Sequence, residues 1–217
     1  MLPGLGADSR MFHPQRAALP VVETPDWIAH VPGESLRSYA RRFAQTLEIK
    51  QPAILCGVSM GGMIALEMSR LVPTRHIILI ASCRRIDAAN GLLRLAGRCA
   101  RFVPLPLIRH GGVFAPLFLG RGGALSRGDR DLLVSMARGL PADFIRWAGS
   151  AVVEWEGCPD PGAPVRHIHG DRDWVIPLRR VQADRVIAGG MHVLNLSHPA
   201  EVNRFIRDTV QDAVRAA

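Results

Sequence analysis

The segment Gly57-Val58-Ser59-Met60-Gly61 has the form G-x-S-x-G, and that spacing suits one kind of chemistry. A serine on a sharp strand-to-helix bend presents its hydroxyl above a sheet. Glycines two before and two after it keep side chains out of a crowded turn. A helix N-terminus behind the serine favours negative charge developing nearby. Such a serine becomes a nucleophile once a base takes its proton. The bare pattern also describes a glycine-rich turn carrying an idle serine, so its setting decides. Eight histidines are candidate bases. His13, His30, His76, His110 and His167 stand in no motif and read as ordinary surface or core residues. His169 reads as a hydrogen-bonded histidine at the end of a strand.

The setting is the one the bend requires. Pro52 to Cys56 is a short apolar run bounded by Pro and Gly, hence a buried strand. Met63 to Leu71 follows as a helix stopped near Pro73. His76 to Ile80 is a second buried strand. Strand, helix and strand at this spacing imply a parallel sheet with crossover helices. Upstream, Ser35 offers an N-cap to an amphipathic helix on which Leu36, Tyr39, Ala40, Phe43 and Leu47 recur. Val21 and Val22 suggest another strand. From Cys83 the pattern turns helical, with candidates at Leu92–Phe102, after Ser126 and from Pro141. Val165–His169 and Arg185–Ile187 resume the strands, the first unusually polar with Arg166, His167 and His169. A final helix opens at Pro199 with Val202, Phe205, Ile206 and Val210 on one face.

At this point the chain resembles the α/β-hydrolase superfamily over nearly its whole length. The resemblance implies an α/β fold: a mostly parallel sheet flanked by helices, N-terminally truncated, with a helical lid insertion. Residues 1–82 would form the first part of the core, 83–160 the lid, and 161–217 the second part. Leu2-Pro3-Gly4-Leu5-Gly6-Ala7-Asp8-Ser9 looks like the family's oxyanion loop, with Pro3-Gly4 in place of the commoner His-Gly. Matched to this sequence, the oxyanion hole is the backbone N–H of Leu5 and of Met60. His169 to Pro177 resembles the acid loop. The acid there is Asp173, three residues after Gly170 and four before Pro177, with Asp171 as competitor and more naturally a loop-bonding aspartate. Gly189-Gly190-Met191-His192 stands where the family places its base, and His198 is the alternative. The order serine, acid, histidine is the family's own.

Only Met1 and Leu2 precede the oxyanion loop, where the family has an apolar strand beside the nucleophile strand. A miscalled start or a truncated gene product is the expectation, with a gapped or rearranged sheet as the alternative, since unpaired backbone groups in a central sheet are costly.

Composition narrows the partners. With 48% hydrophobic and 21% charged residues the chain is globular. No apolar run approaches the roughly 20 residues of a membrane span. No basic segment leads into an apolar one at the N-terminus, so a cytoplasmic protein is expected. The four cysteines show no metal-ligand spacing. The net charge is +8, yet Lys50 is the only lysine and no basic run is interleaved with aromatics, which argues against nucleic acid. The expected activity is hydrolysis of a small-molecule carboxylic ester or thioester through an acyl-enzyme, without metal or organic cofactor. An acyl-carrier or coenzyme A thioester is compatible with the charge. The alternatives are a lyase or carbon–carbon bond hydrolase on the same fold, and a non-catalytic binding module. Leu92, Leu95, Phe102, Phe114, Leu117, Phe118 and Trp147 are candidates to line an acyl site, against the plainer reading that most form the lid's own core.

Overall fold

The computed structural model describes residues 1–100, 102–106 and 125–215. Four parallel strands carry the architecture: β1 (Ala53–Val58), β2 (Thr74–Ile80), β3 (Val165–Gly170) and β4 (Arg185–Ile187), in the order β1-β2-β3-β4. The central strand β2 shows why they pair. Its run Ile77-Ile78-Leu79-Ile80 is fully buried, with alternate residues serving opposite faces. Ile77 and Leu79 pack into one core, and Ile78 and Ile80 into the other. Each such side chain contributes about 1.5–3 kcal/mol on leaving water.

Helices cover both faces. Against the first lie α2 (Leu36–Leu47) and α3 (Met60–Met68); Ser35 caps α2 by accepting from the Ser38 N–H at 3.1 Å. Against the second lie α1 (His13–Ala18) and the terminal α8 (Pro199–Arg215). The buried row of α8 includes Val202, Phe205, Ile206, Thr209 and Ala213. Val210, expected on that face, is 39% exposed, because the helical row passes through 209 and 213 instead.

The described helices between β2 and β3 include α4 (Gly91–Ala100), α5 (Arg127–Gly139) and α6 (Ala142–Glu154). Ser126 caps α5 through the Asp129 N–H, and Pro141 precedes α6. Helix α6 is joined to the core. The Trp147 ring lies 4.7 Å from that of Tyr39, and its Nε1–H donates to Glu34 O at 2.8 Å. Helix α5 rests on the N-terminal segment, where Met136 is fully buried against Asp8. Leu92, Leu95 and Phe102 are more than half exposed. Phe114, Leu117, Phe118 and His110 lie outside the described residues. A four-residue α7 (Leu194–Ser197) precedes α8.

Two features of the N-terminal third differ from the sequence pattern. Val21 and Val22 form no strand; Val21 is 85% exposed. Pro20 and Pro25 bracket them, and each removes a backbone donor that a ladder needs. Strand β1 is an edge strand. On its outer side, among the described residues, Leu2 alone bridges to Gly57, donating to Cys56 O at 2.8 Å and accepting from Val58 N–H at 3.1 Å. Backbone direction alternates along a strand, so Ile54 also faces outward. A cavity of about 640 Å³ runs beside it, lined by Leu2, Val22, Ile54, Cys56 and Ile206 among others.

Candidate active site

Strand β1 ends at Val58 and α3 begins at Met60, which leaves Ser59 to make the whole turn. Its φ of 51° and ψ of −118° lie where residues other than glycine are strained. Hydrogen bonds to its own peptide groups hold the strain. Ser59 N–H donates to Ile80 O at 3.1 Å, Gly62 N–H to Ser59 O at 2.9 Å, and the Ser82 hydroxyl to Ser59 O at 2.7 Å. A Cβ on Gly57 would collide with the Gly61 backbone, and one on Gly61 with the carbonyls of Leu2 and Pro3. These glycines let the bend close on itself and let the N-terminal loop lie against it. A Cβ on Gly4 would stand 3.6 Å from Ser59 Cβ. Leu5 follows Gly4, and Met60 follows Ser59 with its N–H in a first helical turn that offers no intrahelical acceptor.

The loops after β3 and β4 bring the other two expected residues to this point. A Cβ on Gly170 would overlap Gly190, so the two loops touch through backbone. Asp171 ties them further by accepting from Gly189 N–H at 2.8 Å. Asp173 Oδ1 accepts from Val175 N–H at 2.9 Å and Ile176 N–H at 3.0 Å, which turns Oδ2 toward His192. His192 Nδ1 stands 2.8 Å from Asp173 Oδ2, and His192 Nε2 stands 2.9 Å from Ser59 Oγ.

The electrostatics follow from burial and partners. Asp173 is 3% exposed. Burial, the largest single influence, works to raise its pKa. The charge and hydrogen bond of His192, the charge of His169 and the Ile176 N–H together outweigh it and hold the carboxyl below its ordinary range. An ionised Asp173 puts the His192 proton on Nδ1. Nε2 is then free to accept from the serine hydroxyl.

The remaining expectations sort plainly. His198 bonds Ser197 Oγ at 2.9 Å through its side chain, away from the serine. His13 pairs with Asp129 at 3.1 Å, and His30 stacks on Trp147 with ring centroids 5.3 Å apart. Among the described residues no group of three or more His, Cys, Asp or Glu is placed to hold a metal ion. Nor is any helix there long and apolar enough to cross a membrane. Ser82 was not foreseen, since a serine just beyond a strand carries no signal of its own. His167 and His169 join the site from beneath. Their i, i+2 spacing on a strand places both on one face, and that was the available signal.

The model of the alpha/beta hydrolase family matches residues 1–205. The chain belongs to this family. A thermophilic esterase from Thermogutta terrifontis superposes on this α/β-hydrolase with a TM-score of 0.75 at 20% identity, over 98% of this chain and 88% of that one. The enol-lactonase from Burkholderia xenovorans LB400 gives 0.70 at 14% identity, over 97% and 90%. Likenesses this distant speak for the fold. A homoserine O-succinyltransferase from Janthinobacterium sp. (strain Marseille) is 42% identical over 76 residues, which are 34% of this chain and 17% of that protein. The α/β-hydrolase thus matches about a sixth of the length of that curated relative.

Proposed function

We propose that this α/β-hydrolase cleaves a carboxylic ester or thioester through an acyl-enzyme, with Ser59 as nucleophile, His192 as base and Asp173 as acid. The observation that carries the reading is the unbroken chain from Asp173 Oδ2 through His192 to Ser59 Oγ, at 2.8 and 2.9 Å. His192 Nε2 takes the Ser59 proton as Oγ attacks the acyl carbonyl. The Leu5 and Met60 N–H groups stabilise the oxyanion. Collapse expels the alcohol or thiol, which leaves with the proton from His192. Water, deprotonated by His192, then attacks the acyl-serine, and the acid departs as Ser59 recovers its proton.

In this reading residues 1–82 and 161–217 form the core and 83–160 the lid, with α5 resting on the loop that carries Leu5. An esterase and an enol-lactonase among the structural neighbours support acyl–oxygen chemistry. Four unpaired cysteines support a reducing, cytoplasmic setting. The net charge of +8 favours an acyl group delivered on an acidic carrier protein or coenzyme A. Turnover of such a thioester should fall steeply with added salt.

The deciding experiment is fluorophosphonate labelling of the folded chain beside Ser59→Ala, followed by a panel of esters, thioesters and diketones. Labelling that disappears in Ser59→Ala, with ester turnover, is the expected result. Diketone cleavage without ester turnover would move the assignment to a carbon–carbon bond hydrolase. A folded chain that neither labels nor turns over would make it a binding module.

A further inference from the structure

Beneath Asp173 lies a second pair of imidazoles that the reaction above leaves unused. His167 and His169 point to one face of β3, 5% and 0% exposed, with ring centroids 5.0 Å apart and planes at 85°. They form a chain of short contacts. Gln182 O lies 2.9 Å from His167 Nδ1, His167 Nε2 lies 3.0 Å from His169 Nδ1, and His169 Nε2 lies 2.7 Å from Ile176 O. His169 Nε2 also stands 3.3 Å from Asp173 Oδ2, the same oxygen that faces His192.

Proton count fixes the tautomers. Both ends of the chain meet carbonyl oxygens, which only accept. Three contacts ask for three N–H groups, and two neutral rings supply two. The charged and titratable neighbours are Asp173 and His192 on one side and Asp184 and Arg84 on the other. A bare lone pair at His169 Nε2 would face both Ile176 O and a carboxylate, the worst place for it. One proton therefore sits on His169 Nε2, and the other, placed on His167 Nε2, gives His169 Nδ1 the donor that keeps it in that tautomer. The uncovered nitrogen is His167 Nδ1, the farthest from Asp173. Burial first, and the adjoining His169 second, push His167 down to about 4, so the third proton stays off at neutral pH.

We propose that His169, held in its Nε2–H tautomer by His167, is a positioning residue for Asp173: its Nε2–H donates to Ile176 O and stands 3.3 Å from Oδ2, so its dipole acts on the oxygen that orders His192. This rests on the reading of Asp173 as the triad acid. It accounts for two histidines on a strand buried on both faces. Loss of the His169 donor leaves more negative charge on Oδ2 for His192. His192 then holds its proton more tightly, and the acid limb of kcat/KM moves to higher pH.

The test combines spectroscopy with kinetics. In histidine-¹⁵N-labelled protein at neutral pH, long-range ¹H–¹⁵N correlations should show His169 and His167 both as Nε2–H tautomers. His169 as Nδ1–H would overturn the proposal. The downfield His192 Nδ1–H resonance should shift in His169→Leu and return in His169→Gln, whose amide nitrogen overlies the imidazole Nε2. His169→Asn, with its amide at the Nδ1 position, serves if the leucine variant does not fold, and should behave as the leucine does. On a short ester, His169→Leu should lower kcat about tenfold with KM unchanged, and raise the acid limb by about 0.5 pH unit; His169→Gln should restore both. A lower kcat with an unmoved limb and an unmoved His192 resonance would reduce His169 to a packing residue. If the wild type neither labels nor turns over, the catalytic reading fails, while the tautomers and the His192 resonance still decide the proposal.

Discussion

The hydroxyl of Ser82 donates to the carbonyl of Ser59 at 2.7 Å and so ties the loop after β2 to a residue of positive φ. The contact is local to neither element. It joins the residue that makes the elbow to the loop that leaves the neighbouring strand, and it stands where the Ser59 carbonyl already serves the first turn of α3.

Removing it should cost stability without unfolding the protein. Ser82→Ala leaves the Ser59 carbonyl its helical donors and should lose about 1 kcal/mol, a fall in thermal midpoint of roughly 3 °C for a chain of this size. Scanning calorimetry reads this directly. Fluorophosphonate labelling of the variant should also slow, because the serine is less firmly aimed.

Gly57→Ala should do far more harm. The added methyl would meet the backbone of Gly61, which has no flexible end to move aside. A loss of about 3 kcal/mol or more is expected, visible as a collapsed urea midpoint or as insoluble expression. A variant that melts like the wild type would mean that the elbow is looser than its geometry implies.

Asp173→Asn tests the direction of the proton chain. The amide cannot accept through both of its heavy atoms, so His192 loses the partner that keeps its proton on Nδ1. Turnover of a short ester should fall about 10⁴-fold with little change in KM. The two loop N–H bonds to the side chain oxygen are retained, so the fold should survive, as circular dichroism will show.

His167 should leave a mark on stability against pH. In the unfolded chain it titrates near the ordinary histidine value of about 6.5, and in the folded protein at about 4. Between those values the unfolded state binds the proton and the folded state does not. Stability is therefore full above about 6.5 and falls as the pH drops toward 4, by on the order of 3 kcal/mol. His167→Gln should flatten that slope in denaturant titrations at stepped pH.

Much of this was legible in the sequence because local rules and tertiary demands agree. The β2 run of apolar residues, the Ser35 cap and the glycines at 57 and 61 each dictate a local structure that the whole fold also needs. What was hidden depends on pairs distant in sequence. Nothing around Ser82 announces Ser59, and nothing around His169 names Asp173 as more than a neighbour in a loop. Val21 and Val22 have strand propensity, but the flanking prolines override it. Val210 misled because one apolar residue fell off a row that Thr209 and Ala213 continue.

The recessed outer side of β1 has a bearing on how copies of the molecule meet in concentrated solution. Open backbone along a strand is a template on which a second copy can stack. Here that template lies along a cleft walled by the segment from Leu19 to Pro25 and by α8, and lined also by Glu23, Glu48 and Lys50. An incoming strand would have to desolvate those charges and enter a gap already capped at one end by Leu2. The cleft and its charges thus shield the outer side of β1 among the described residues, and colloidal stability should respond to changes in those side chains.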